Sequence, residues 1–390
     1  MPHIVAKNFH WFDFPARCKE FRFLWYASPL KSASDWLVAV EYGSERFLLR
    51  IKPKEDRFII KSDKITRPSP TFLTKEALRC FCDLAECEIL HHNLSSIKPS
   101  HAIKAQDYFK DIRFFEDFPK REKISIEIGF GSGRHLLYQA QADPDTLFIG
   151  IEIHKPSIEQ LLKQIALRGL KNIYVVDYDA RLFLELVPSN AIEKIFVHFP
   201  VPWDKKPHRR VISSQFIQEA CRVLKPGGIL ELRTDSRNYF DYSLDLFLRR
   251  PKVDLEVQKN IPPPVASKYE ERWLRLGKDI YDIRMRALEH SEARELERDF
   301  SFRDLKFDEK FIQNFDNRPR VFDGFFVHPQ RLYRMDEKRV VVEISFGSFD
   351  RPEHRFIVIE ESGAFYFPKD PVATRTNLAA HKKIEEIFHE

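Results

Sequence analysis

The sequence predicts a mainly parallel, doubly wound α/β sheet flanked at each end by a small α+β domain. Three observations carry that expectation. Between residues 106 and 288, short and almost fully apolar strands alternate with helical patterns, as a parallel sheet covered on both faces requires. At the end of the first of these strands, Gly129, Gly131 and Gly133 fall within five residues, in a chain with only 12 glycines in 390. Outside that span, strand patterns follow one another and then give way to a helix, both before residue 105 and after 289. The expected domains are therefore 1–105, 106–288 and 289–390.

From the amino end, WLVAVEY (36–42), RFLLRIK (46–52) and RFIIKS (57–62) are apolar or alternating runs separated by Gly43 and the charged turn KPKED. A helix is expected over 74–88, because Ala77, Leu78, Phe81, Leu84 and Ala85 recur at helical spacing. Residues 93–105 are polar, contain a proline and read as a linker. In the middle segment, Ile124, Ile126 and Ile128 lead to the glycines, and a helix starts near Arg134. Strands then follow at 147–153, 172–176, 194–199 and 228–234, with helices at 157–168 and 213–224. The last segment repeats the order of the first: strands at 339–346, 354–362 and 364–367, a turn rich in Pro and Thr, and a helix over 377–388. That repetition suggests a duplicated unit or two similar accessory folds.

Composition sets limits. Hydrophobic content of 43% and charged content of 32% are ordinary for a globular protein, and a net charge of +5 is too mild to argue for a polyanion except through local patches. The five cysteines, Cys18, Cys80, Cys82, Cys87 and Cys221, lack paired metal spacing; C-x-C-x4-C has no fourth ligand, so no metal site is expected. Reduced thiols, no leader pattern and no long apolar run fit a cytoplasmic protein with no membrane segment.

The glycine stretch reads E-I-G-x-G-x-G. Glycine turns tightly and lets a ligand approach the backbone, and the helix that follows aims free N–H groups at the same spot. Dinucleotide sites place a third glycine where this chain has Arg134, so a ligand without a pyrophosphate is favoured. Glu152 lies about 20 residues on, at the end of the next strand, where a carboxylate accepts ribose hydroxyls. Together with Glu127, a ribose without a pyrophosphate suggests S-adenosylmethionine.

A second bend, HFPVPWDKKPHRR (198–210), holds two prolines around Val201, then Trp203 and a basic run through Lys205, Lys206, Arg209 and Arg210. A flat aromatic beside clustered cations suits a nucleic acid, since phosphates supply affinity and stacking holds a base. Both bends, with Asp177, Asp179 and Asp235, follow strands and would share one rim.

EIGFGSG, GIEIH, the Asp179-Ala180 pair, HFPVPWDKK, VLKPGG with LRTD, and SKYEERWLRLG together resemble the bacterial tRNA (guanine-N7)-methyltransferase family over roughly residues 115–285. The resemblance implies a Rossmann-like S-adenosylmethionine-dependent core, methyl transfer to N7 of guanine at tRNA position 46, and tRNA as partner with no obligate protein partner. It places Glu127, Gly129, Gly131, Gly133, Glu152 and Asp179 at the cofactor, with Asp177 competing for the adenine amino group. It places Lys205, Asp235, Ser267, Lys268 and Glu270 at the substrate. The family reads F-P-D-P-W where this chain has Val201, and a valine cannot compensate charge; Asp204 and Asp235 are the candidates to replace that aspartate. The alternative is a catalytically weakened tRNA-binding protein that keeps its cofactor pocket. Basic turns at Lys52–Lys54 and Arg67 suggest that the first domain extends the tRNA contact.

Overall fold

A computed structural model describes residues 2–68, 72–94, 107–265, 270, 275–295 and 297–389, so most of the expected linker, like Ser267 and Lys268, lies outside the described residues. The chain forms two compact units: residues 99–296 with 372–374, and the two outer segments together.

The first outer segment runs through β1 (His3–Ala6), β2 (Ala16–Cys18), β3 (Phe21–Lys31), β4 (Trp36–Tyr42), β5 (Glu45–Lys54), β6 (Arg57–Ser62), α1 (Phe72–Leu84) and β7 (Ile89–His92). Helix α1 starts two residues before the expected span and ends at Leu84; Leu73, Ala77, Leu78 and Phe81 form its buried stripe against Ile4, Phe23, Val40 and Ile60. Strand β3 went unread in the sequence. Its pairing to β4 shifts register between Phe23 and Trp25, which breaks the alternation that marks a strand.

The middle unit contains β8 (Ile124–Ile128), α2 (Arg134–Ala142), β9 (Leu147–Glu152), α3 (Lys155–Arg168), β10 (Ile173–Asp177), α4 (Ala180–Leu186), β11 (Ile192–His198), α5 (Ser214–Val223), β12 (Leu224–Thr234), α6 (Arg237–Leu248), β13 (Asp254–Lys259) and β14 (Tyr281–Arg286). Its sheet runs β10-β9-β8-β11-β12-β14-β13, with the first five strands parallel and the last two antiparallel. Every residue of β8 is buried, as the central strand of a covered sheet must be. Leu136 of α2, with Leu161 and Ile165 of α3, packs on Phe148 and Val175. Phe183, Phe216, Tyr239 and Phe247 of α4–α6 belong to the core that contains Ile126 and Ile195. After β8 the chain adds β9 and β10 on one side, then crosses to place β11 on the other. The order therefore reverses between β8 and β11, where open α/β sheets bind ligands.

The last segment holds α7 (Glu309–Asn314), β15 (Arg320–Phe322), β16 (Phe325–Asp336), β17 (Arg339–Ser348), β18 (Glu353–Glu360), β19 (Gly363–Phe367) and α8 (Arg375–His389). Strand β16 pairs antiparallel with β3 through Leu332↔Lys31 and Arg334↔Ser28, giving the order β19-β18-β17-β16-β3-β4-β5-β6-β1-β7. The expected division into three domains is corrected here: 1–105 and 289–390 are not separate flanking domains but one unit with one sheet. The physical reason is that the first strand of each meander, β3 or β16, would otherwise be an open edge, and the two edges satisfy each other's backbone. Ala27, Leu37 and Leu48 from one segment share a core with Tyr333, Val341, Phe356 and Val358 from the other. Both segments contain a short strand, a four-stranded meander and a helix in that order, the repetition read in the sequence, to which the first adds β1 and β7 and the last adds α7.

Candidate active site

The bend after β8 places Gly129, Gly131 and Gly133 at φ of 67°, 52° and 69°, a left-handed backbone that residues with a Cβ rarely adopt. Gly129 N–H donates to Ile151 O at 2.8 Å, tying the bend to β9. At the end of β9, Glu152 accepts from Gly131 N–H at 3.1 Å through Oε2, and from Ile153 and His154 N–H at 2.8 and 3.0 Å through Oε1. The carboxylate is thus fixed on the glycine bend, and three bonds of about four leave lone-pair capacity for a ribose hydroxyl.

Glu127 is buried, and its Oε2 lies 2.8 Å from His135 Nδ1 at the start of α2. Burial disfavours the charged imidazole, but the Glu127 carboxylate outweighs it and raises the His135 pKa above its ordinary value. Asp177 closes β10 in register with Glu152. Asp179 is the N-cap of α4: it accepts from Arg181 N–H at 2.9 Å and pairs with the Arg181 guanidinium at 2.7 Å.

Strand β11 lies beside β8, with Val197 opposite Ile128, so the second bend leaves the sheet next to the glycine bend. Phe199 and Trp203 take positive φ, 50° and 45°, and Phe199 N–H donates to Arg233 O at 2.7 Å. The bend is held from within by Arg210. Its buried guanidinium donates to Pro202 O at 2.7 Å and to Asp204 at 3.3 Å, and stacks 5.1 and 4.4 Å over Tyr239 and Tyr242. Asp204 also accepts from Asn238 at 2.7 Å. Trp203 is 37% exposed with Arg209 at 5.1 Å over its ring, while Lys205, Lys206 and Val201 face solvent.

Beyond the predicted residues, the α2 side of the sheet carries a cavity of about 420 Å³. Its walls include His135, Phe199, Glu231, Arg233, Glu270 and the turn 261–265. A charged network lines it. Glu231 accepts from His198 at 2.8 Å and from Arg284 at 2.9 Å. Burial alone would raise the Glu231 carboxyl, yet the hydrogen bonds and charges of His198 and Arg284 bring it down to about 2. Arg233 bridges Glu270 and Asp282, each at 2.5 Å, and all three are buried. Glu270 therefore lies inside the fold, held by Arg233. Asp235, at the end of β12, pairs with Lys278 at 2.7 Å and keeps 18% side-chain exposure. All five cysteines are free thiols, and among the described residues no His, Cys, Asp or Glu group is arranged to hold a metal.

An open α/β sheet whose switch-point crevice joins a glycine bend to a fixed carboxylate on the next strand defines an S-adenosylmethionine-dependent methyltransferase. The donor set fits that cofactor, because the Glu152 carboxylate keeps acceptor capacity and the bend is open to a close approach: a Cβ at Gly129 would meet nothing within 4 Å. Residues 121–283 match a family model described as "Putative methyltransferase". Tested against curated proteins, the chain is 43% identical to a tRNA (guanine-N(7)-)-methyltransferase of Wolinella succinogenes over 99% of both chains. It is 39% identical to that of Campylobacter fetus and 41% identical to that of Helicobacter acinonychis, each over 100% of this chain and 99% or 98% of the relative. The chain belongs to the tRNA (guanine-N(7)-)-methyltransferase family. The likeness spans the outer segments as well as the central unit. Among the described residues no helix is long and apolar enough to cross a membrane.

Proposed function

We propose that the chain transfers a methyl group to N7 of a guanosine in tRNA, at position 46 of the variable loop. One observation carries this reading above the others: the glycine bend and the tryptophan-bearing basic bend leave neighbouring parallel strands at the point where strand order reverses. A cofactor and a nucleobase can then meet in one crevice.

S-adenosylmethionine, when bound, supplies the electrophilic methyl carbon and the sulfur leaving group. Glu152 orients its ribose end, the glycine bend lets it approach the backbone closely, and Glu127, Gly129, Gly131, Gly133 and Asp179 complete the pocket. Guanine N7 carries an in-plane lone pair and no proton, so the chain needs no general base there. Its task is alignment, for which positioning supplies up to about 7–11 kcal/mol. Trp203 offers a stacking face, and Lys205 reaches the phosphates. Asp235, with Ser267 and Lys268, contacts the substrate, its carboxylate as an acceptor for the N–H edge of guanine, while Glu270 acts from within the fold by holding Arg233 at the cavity wall. Methylation leaves positive charge on the ring. With Val201 in place of an aspartate, Asp235 is the better group to stabilise it, since it is less exposed than Asp204, at 18% against 56%, and electrostatic stabilisation grows as water is excluded.

Tritium from methyl-labelled cofactor should be retained in unmodified tRNA and map to guanine N7 in the variable loop. Background incorporation would defeat the reading, and tight tRNA binding without turnover would favour the weakened-binder alternative. Asp235→Asn should lower kcat by about 10-fold or more with little change in cofactor affinity.

A further inference from the structure

The unit built from the two outer segments carries a groove of about 620 Å³ lined by β5, β6 and the turn after it, and by β16–β18. Its floor is a buried ion cluster. Arg50 donates to Asp35, Asp63 and Glu343 at 2.9, 2.7 and 3.1 Å, and Tyr333 Oη lies 3.1 Å from both Arg50 and Asp35. Of the remaining charges, Glu343 also accepts from Arg331 at 3.3 Å and Glu353 pairs with Arg355 at 2.8 Å. Every acidic side chain lining the groove therefore already has a guanidinium partner.

The rim is different. Lys52 on β5, Lys61 on β6 and Lys64 just beyond β6 point into the same groove. Among the described residues none of these three ammonium groups has a carboxylate partner, whereas Lys338, Lys369 and Lys382 of the same unit each pair with a glutamate. Arg50 and Lys61 are opposite one another in the β5–β6 register, which brings the rim lysine close to the floor cation. Burial and then the neighbouring Lys52, Arg50 and Lys64 push the Lys61 pKa down, and outweigh Asp35, which raises it. Six basic side chains against four acidic ones line the groove, so it holds surplus positive charge on rigid strands. Such a surface is stabilised by an anion that supplies several charges in a row.

We propose that this groove is a second RNA contact, in which Lys52, Lys61 and Lys64 take the phosphodiester backbone of the substrate. This rests on the tRNA reading above and adds to it a site outside the methyltransferase unit. The contact is to phosphates alone. It adds affinity and fixes the register of the RNA without reading bases.

The test uses the full chain, comparing wild type with K52E/K61E/K64E and with K52Q/K64Q, whose two positions are exposed and tolerate change. Measured on the same samples are tRNA affinity across a salt series, S-adenosylhomocysteine affinity, and methyl transfer to tRNA. The triple variant should lose about 10-fold or more in tRNA affinity at moderate salt. The slope of log affinity against log salt should fall by ~0.7–0.9 for each contact removed, and the double variant should give the smaller part of that fall. Cofactor affinity and kcat at saturating tRNA should stay at the wild-type value, and K52R/K61R/K64R should restore tRNA binding. An unchanged affinity and salt slope in the double variant overturns the groove while leaving the methyltransferase reading intact. Wild type that binds tRNA but does not methylate it overturns that reading instead, and the slopes still decide the groove.

Discussion

Glu152 and Glu231 are both carboxylates at the site, and their surroundings give them different tasks. Glu152 is held by backbone N–H groups beside the glycine bend and keeps acceptor capacity. Glu152→Ala should weaken S-adenosylhomocysteine binding by about 1–3 kcal/mol, read by calorimetry, as loss of a charged acceptor implies. Unchanged binding would remove the ribose assignment. Glu231 has both oxygens engaged by His198 and Arg284 and titrates near 2 instead of its ordinary 4.5. Because its folded pKa is depressed, its contribution to stability is complete above about pH 4.5 and is lost as pH falls towards 2. Glu231→Gln should therefore flatten the acid limb of the stability curve between those values, measured by urea unfolding at stepped pH. The two residues also differ in legibility. Glu152 announces itself by its distance from a glycine bend. Glu231 sits in an alternating strand, ELR, that reads equally well as a solvated face, and only pairing with β14 brings Arg284 to it.

At the scale of elements, two bends decide the site. Gly133 begins α2 at φ 69°, and a Cβ there would stand 2.6 Å from Leu161 Cδ1. Gly133→Ala should cost about 1–3 kcal/mol in thermal unfolding and lower cofactor affinity with it, because left-handed backbone and overpacking add. The basic bend depends on Arg210 rather than on its prolines alone. Arg210→Lys keeps the charge but loses the paired donation to Pro202 and Asp204, so the KM for tRNA should rise while S-adenosylhomocysteine affinity holds. A parallel loss of both would mean that the clasp supports the whole fold. The glycine bend could be read from composition, since three glycines within five residues of so glycine-poor a chain mark backbone that must turn tightly. The clasp could not: Arg210 belongs to a run of cations, and burial under Tyr239 and Tyr242 of α6 alone distinguishes it from its exposed neighbours.

For the whole molecule, the sheet shared by the outer segments makes a prediction that a three-domain chain would not. Removing residues 1–98 strips β16 of its partner β3 and leaves an open edge and half a core. The remaining segment 297–389 should become protease-sensitive or aggregate, while the middle unit resists limited proteolysis. A compact, resistant carboxyl-terminal fragment would show that each segment folds alone. Local pattern determined a good deal of this protein: the parallel sheet, the glycine bend with Glu152, the basic bend after β11, and the repeated order of strands and helix at both ends. These are short-range signals, carried by residues that are neighbours in the chain. Tertiary structure alone decided that two distant segments form one sheet, that Arg233 bridges Glu270 and Asp282 under a cavity, and that Arg50 of one segment meets Glu343 of the other beneath a groove. Each of those is a pairing between residues far apart in sequence, and the charge or polarity of a side chain does not specify its partner until the backbone brings the two within a few ångströms.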